Sequence, residues 1–363
     1  MKVFTSRHYV PVLRWKMAER LAFAQITPAE RRFLTPLIEL VPRNFAPTKK
    51  NPRSDPDRVI AEIAVELAGI WGKQPLLIDF LHLANQPDPP TALQLFSGYA
   101  RKWSVLAIPV TGLERTSQYQ AAIASVARQS NLGISLRIRR EDLDEPQVKS
   151  KITQLLSQLR LTPQNVDLIV DLKIIGQTDD FGFSLLYTWL PQLMDWRTFA
   201  VLGGAFPKDL QGMRPGQYLL PRLEWRNWSE QLRSKQRVSR FPSFGDYTVQ
   251  HPLFAEPPRN ANVSASIRYA SEADWIIMRG EGVRNEGGAG YDQWPANALL
   301  LSERAEFCGS DFSAGDRYIA TMAAQSAKTG NARTWIQAGI NHHLVFVIRQ
   351  ISSLDGLSAV AEL

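Results

Sequence analysis

A (β/α)8 TIM-barrel-like fold in one α/β domain, with an insertion after its eighth strand, is what this 363-residue sequence predicts. Three observations carry the prediction. Short runs rich in Val, Ile and Leu alternate with stretches of helical periodicity. The runs are apolar almost throughout, as strands covered by helices on both faces of a parallel sheet are. There are eight of them, which fits a closed barrel of about 250 residues and leaves length over for an excursion. An open doubly wound sheet is the competing arrangement, but it would announce a glycine-rich phosphate turn after its first strand. Arg14-Trp15-Lys16-Met17 is no such turn.

The predicted strands are Tyr9 to Lys16, Leu34 to Val41, Pro75 to Phe80, Ser104 to Thr111, Gly133 to Arg140, Val166 to Lys173, Thr198 to Phe206 and Phe244 to Pro252. Between them, apolar residues at spacings of three and four predict helices over Arg58 to Trp71, Tyr119 to Arg128, Gln147 to Leu159 and Phe183 to Met194. Thr27-Pro28-Ala29-Glu30 reads as a capping box with proline at the first helical position. Arg43 to Asp57, with three prolines, reads as a long loop after the second strand. The chain from 1 to 363 reads as one domain, with 253 to 334 as an excursion holding a strand pair (Ala265 to Tyr269, Asp274 to Gly280) and a short helix near Arg317. Thr334 to Gln350 supplies the closing helix. Trp275 to Arg279 is an alternative for the eighth strand.

Composition narrows the setting. With 44% hydrophobic and 21% charged residues the chain is an ordinary globular protein. The single Cys308 excludes an internal disulfide and makes a reducing compartment the default. No apolar run reaches membrane-spanning length and the N-terminus lacks a signal-peptide pattern, so a cytoplasmic location away from membranes is expected. A formal charge of +7 favours anionic partners. Nucleic acid is weakly supported, because ten Trp and the basic surplus come with no recognised binding motif and no basic run.

Strand parity locates the charges. One face of each barrel strand meets helices and must stay apolar, so polar residues mark the inward face. This places Arg14 and Lys16, Glu39, Asp79, Arg137 and Arg139, Asp171 and Lys173, and Asp246, Thr248 and Gln250 inside, mostly near the C-terminal strand ends where such barrels carry their chemistry. An anionic ligand is the natural occupant. Arg14, Arg137, Arg139, Asp246 and Gln250 would bind it, with backbone N–H groups of Gly203-Gly204 approaching a phosphate. Lys16, Glu39, Asp79, Asp171 and Lys173 are the candidate catalytic groups, and Glu39, Asp79 and Asp171 could instead hold a divalent metal. The competing account is structural, with Glu39 pairing to Arg14 and Asp171 to Arg137. His82 and His251 are candidate general bases or plain loop histidines.

A second group, Gly315-Asp316-Arg317-Tyr318 with Asn341-His342-His343, reads as capping and packing, because adjacent histidines lack the spacing of a helical zinc pair.

Tyr9-Val-Pro-Val-Leu-Arg-Trp-Lys16, Leu37-Ile-Glu-Leu-Val-Pro42, Gly245-Asp-Tyr-Thr-Val-Gln-His-Pro252, Ser266-Ile-Arg-Tyr269, Gly315-Asp-Arg-Tyr-Ile319 and Trp335 with Gly339-Ile-Asn-His-His-Leu344 together resemble the beta protein family. That resemblance covers nearly the whole chain and implies a phage-related or anti-phage defence setting. It brings no catalytic residues to carry over. The expected function is then either phosphoester or nucleotide hydrolysis at the mouth, or non-catalytic sensing of a phage component or partner protein. A pyridoxal phosphate enzyme with Lys16 as its Schiff-base lysine is a third, weaker option.

Overall fold

The computed structural model describes residues 5–47, 54–83, 87–178, 181–234, 238–256 and 261–354. Residues 48–53 of the predicted loop and 257–260 of the excursion lie outside them. The strands are β1 (Tyr9–Arg14), β2 (Leu37–Glu39), β3 (Pro75–Asp79), β4 (Leu106–Thr111), β5 (Ile134–Arg139), β6 (Val166–Ile174), β7 (Thr198–Gly204), β8 (Gly216–Pro221), β9 (Ser243–Asp246), β10 (Ile267–Ala270) and β11 (Asp274–Arg279). β1 to β7 and β9 close an all-parallel barrel in chain order. The eighth barrel strand therefore comes from the Phe244 segment, and Trp275 to Arg279 lies outside the barrel in β11.

Inside the barrel, Val10, Val12, Leu37, Leu77, Ile108, Val110, Ile169, Ala200 and Leu202 form an apolar layer. The N-terminal end is sealed below it. There Arg197 forks onto buried Asp167 with bonds of 2.8 and 2.7 Å, and Thr198 donates to the same carboxylate at 2.8 Å. The outer strand faces pack on amphipathic helices, among them Pro56–Trp71, Ser117–Ser130 and Val148–Leu159. Thr27 and Glu30 form the predicted capping box. The helix predicted to Met194 stops at Trp189, because Pro191 can neither donate to the ladder nor let its predecessor stay helical.

Outside the barrel, β10, β11 and β8 form an antiparallel sheet. The β10 and β11 pair matches the strands predicted in the excursion. β8, which precedes the last barrel strand, has no counterpart in the sequence reading, since Gly216–Pro221 is short and mostly solvent-facing. The sheet covers a small core in which Trp294 and Trp335 stack at 6.1 Å. The closing helix, Ala332–Ser352, joins both cores: Trp335 belongs to the small one and Ile340 through Ile351 to the large one.

Candidate functional site at the barrel mouth

Register brings the charges together. Arg14 pairs with Glu39 across β1 and β2, and Glu39 with Asp79 across β2 and β3, so three charged residues sit in one row at the C-terminal end. Arg137 on β5 reaches into their centre. Its Nε and Nη2 donate to Asp171 at 2.9 and 2.7 Å, its Nη1 to Glu39 and Asp79 at 2.8 Å each, and its Nη2 also to the Tyr247 hydroxyl at 2.9 Å. A guanidinium has five N–H groups, and all five are used. The Tyr247 hydroxyl in turn donates to Asp171 at 2.7 Å and accepts from Lys173 Nζ at 2.9 Å.

Around this hub, His82 bonds Glu39 at 2.9 Å and Arg115 donates to Asp79 at 2.8 Å. Arg14 Nε lies 3.6 Å from Glu39 while its Nη2 donates to the carbonyls of His251 and Pro252 at 2.9 and 2.6 Å. Both structural pairings anticipated above thus form. Burial alone would raise the Glu39 carboxyl, but Arg137 and His82 outweigh it and hold it well below the usual range. The same contest at Asp171, decided by Lys173 and Arg137, brings it down to about 2. Burial followed by Asp171 pushes the Tyr247 phenol well up. Glu39 and Asp171 are therefore held as carboxylates rather than poised to exchange protons near neutrality.

The segment from Tyr247 to Phe254 crosses the mouth. Pro252 lies where a Cβ on Gly204 would come within 2.7 Å, and the Phe254 ring lies 4.5 Å from His82, tilted by 33°, with the Arg14 guanidinium 5.5 Å from it.

Several expected site residues stand elsewhere. β9 ends at Asp246, whose side chain faces outward. It accepts from Tyr9 at 2.5 Å and from His343 Nε2 at 2.7 Å, so Asp246 belongs to the barrel–helix interface. The residue that points in is Tyr247, packed against the interior apolar layer. Its signal in the sequence was the alternation of Gly245 and Tyr247 against Phe244 and Asp246, with Phe244 taking the helix face against Trp225 and Trp228. Thr248 follows in a left-handed turn at φ 55° with its side chain buried, so inward parity does not extend past the strand.

Lys16 also lies past its strand end. It begins helix Met17–Ala24 and lines a groove outside the barrel. Gln250 bridges Arg14 (3.5 Å) and Glu19 (2.6 Å) instead of facing the hub. Arg139 turns to Asp142 and Glu114 at the rim. Gly203 and Gly204 are small for packing: a Cβ on Gly203 would lie 2.8 Å from Ile175, so neither glycine offers the open backbone expected of a phosphate cradle. Glu39, Asp79 and Asp171 do converge, but on the Arg137 guanidinium. Among the described residues no group of three or more His, Cys, Asp or Glu is arranged to hold a metal ion.

The Asn341-His342-His343 triplet is explained by its helix. Consecutive residues are turned by about 100°, so each points to a different neighbour, and all three are fully buried. Asn341 accepts from Gly315 N at 2.8 Å and donates to the Ala22 carbonyl at 3.0 Å. His342 bonds Asp316 at 2.8 Å and the Ala270 carbonyl at 2.9 Å, stacked 3.7 Å from the Tyr269 ring. His343 bonds Asp246. Gly315 is required where it is, because a Cβ there would come within 2.2 Å of the Ala338 carbonyl oxygen.

A closed parallel barrel with an ionic mouth defines a (β/α)8 protein, and no helix among the described residues is long and apolar enough to cross a membrane. The chain belongs to the beta protein family, whose profile matches residues 9–349. No curated protein matches it. Among solved structures it is similar to a GH138 enzyme targeting pectin rhamnogalacturonan II, at 8% identity and a TM-score of 0.39. That match covers 84% of this chain and 45% of the other, so the chain spans less than half of that structure's length.

Proposed function

We propose that this protein is a non-catalytic recognition module of phage–host conflict, working in the cytoplasm, whose barrel mouth is a scaffold that displays the surrounding loops to a phage component or partner protein. The observation that carries this reading is the saturation of Arg137: a guanidinium with all five donors spent on protein acceptors has none for a phosphate. The low pKa values at Glu39 and Asp171 point the same way, since a general acid or base works best near the operating pH. The phage setting rests on the family resemblance.

One feature favours the second reading, phosphoester or nucleotide hydrolysis. Lys173 holds a left-handed backbone at φ 56° beside Asp171, and such conformations in residues other than glycine gather at active sites. A panel of aryl phosphates, phosphodiesters and nucleotides, with Mg2+ and with Mn2+, separates the two. The module reading expects no turnover beyond that of folded Asp171→Asn protein. Turnover in the wild type that falls at least a hundredfold in that variant would establish the enzyme instead. A cell carrying the gene, challenged with phage, should show altered plating in the wild type, retained in Lys173→Ala.

A further inference from the structure

Beside the C-terminal end of β1, outside the barrel, lies a groove of about 1,010 Å³. Helices Met17–Ala24 and Pro56–Trp71 form its two walls, Gln250 lies between it and Arg14 of the mouth, and Arg268 of β10 and Arg333 of the closing helix complete it. Small-molecule sites commonly measure about 300–1,000 Å³, so the space suits a ligand far larger than a simple anion.

Its charge is unbalanced. Six cations line it against three carboxylates, an excess of three. Glu66 holds Arg20 and Glu62 holds Arg58. The third carboxyl, Glu19, accepts from Gln250, and burial pushes it up toward its neutral form. Arg43, Arg268 and Arg333 are in no ion pair among the described residues, and Lys16 is in none either, although Glu19 and Glu256 lie within its electrostatic reach. Arg268 is the most telling. It donates once, to the Val249 carbonyl at 2.8 Å, lies 4.7 Å from the Phe206 ring, and is lowered to about 10 by burial and then by Arg279. Enclosing a guanidinium beside another cation costs free energy that a bound anion would offset. The walls also offer apolar surface, with Met17 and Val65 42% and 44% exposed and Val59 and Ile336 beside them.

We propose that this groove binds a nucleoside polyphosphate, its phosphates on Lys16, Arg43, Arg268 and Arg333 and its base and sugar along Met17, Val59, Val65 and Ile336. A nucleoside di- or triphosphate supplies the negative charge this excess calls for, and its base gives the apolar wall something to cover. Inorganic polyphosphate supplies only the first. The site is separate from the hub and depends on neither reading of the mouth.

Calorimetric titration of the full chain with ATP, ADP, inorganic triphosphate and adenosine tests it. ATP should bind, inorganic triphosphate should bind more weakly, and adenosine should give no measurable heat. Arg268→Gln/Arg333→Gln should weaken ATP by about tenfold or more, as expected for two lost charge-assisted contacts. The exposed Arg333→Gln alone should weaken it by a smaller factor and keeps the test open if the double variant does not fold. Arg128→Gln, on a helix away from the groove, should have no effect. Absence of ATP binding, equal affinity for ATP and inorganic triphosphate, equal sensitivity to Arg128→Gln, or loss in Lys173→Ala with none at Arg268 and Arg333, would each overturn the proposal.

Discussion

Two buried polar networks hold this molecule together, and they are built from different chemistry. Inside the barrel, Arg137, Lys173 and Arg115 meet Glu39, Asp79 and Asp171, so full charges neutralise one another around a central guanidinium. Outside it, the closing helix uses Asn341, His342 and His343 against Asp316, Asp246 and backbone groups. The inner network is shared among four strands and the loop after β4, and removing its centre takes one charge partner from three carboxylates at once. The outer one consists of separate contacts, each tying the helix to a different element. Concentrated charge locks a closed barrel, whereas distributed single bonds fix the orientation of a helix that is surrounded by protein.

Arg137→Met should produce the largest effect, a loss of about 3–5 kcal/mol in urea unfolding, because it breaks ion pairs to three buried carboxylates at once. A loss no greater than that of an outer-network variant would break the comparison. Asp246→Asn should cost about 1–3 kcal/mol, the usual range for disturbing a buried hydrogen-bonded carboxylate. His343, held neutral by burial, keeps its Nε2–H to donate, and Thr248 N and the Tyr9 hydroxyl donate as well, so the asparagine must present an N–H where an acceptor is needed. Thermal melts of the two variants side by side give the ranking.

The regions should also part with pH. Asp171 is depressed to about 2, so its stabilisation is present above the ordinary carboxylate range near pH 4 and is lost as pH falls toward 2. Glu224 packs on the outer side near Arg222 and Asp246, and burial raises it to about 7. Its sign is opposite: stability is full below its unfolded value near 4.5 and declines as pH rises through about 7. Glu224→Gln should therefore flatten the decline in stability between about pH 4.5 and 7 by about 1–3 kcal/mol while leaving the loss below pH 4 in place. An unchanged slope between about pH 4.5 and 7 would show that Glu224 is not the group responsible. The smallest expected effect is at Thr248, whose φ of 55° is unfavourable for a β-branched residue and whose hydroxyl is buried without a partner. Thr248→Gly should gain up to about 1 kcal/mol in the same urea assay.

Much of the inner network was legible in the sequence. Glu39, Asp79, Arg137 and Asp171 each interrupt an apolar strand near its C-terminal end, and period-two alternation alone sends them inward. Arg14 follows the same rule. The residues placed wrongly, Lys16, Arg139, Asp246, Thr248 and Gln250, all lie at or beyond a strand end, where alternation no longer holds and a turn sets the direction instead. Tyr247 was missed because aromatic residues are common on either face. The outer network was visible as a cluster of residue types but not as a set of contacts, since its partners are separated by 26 to 319 positions.

The sequence by itself determined the eight-stranded barrel, the charges at its mouth and the helix that closes the chain, because periodicity and burial are local properties of consecutive residues. Only the tertiary structure decided that five donors of Arg137 would be consumed by the protein, that Asp246 would serve the helix instead of the mouth, and that cations outside any ion pair among the described residues would gather in a groove outside the barrel. Those outcomes depend on which side chains meet across strands and helices far apart in the chain, and hydrogen-bond saturation and charge balance are properties of that meeting.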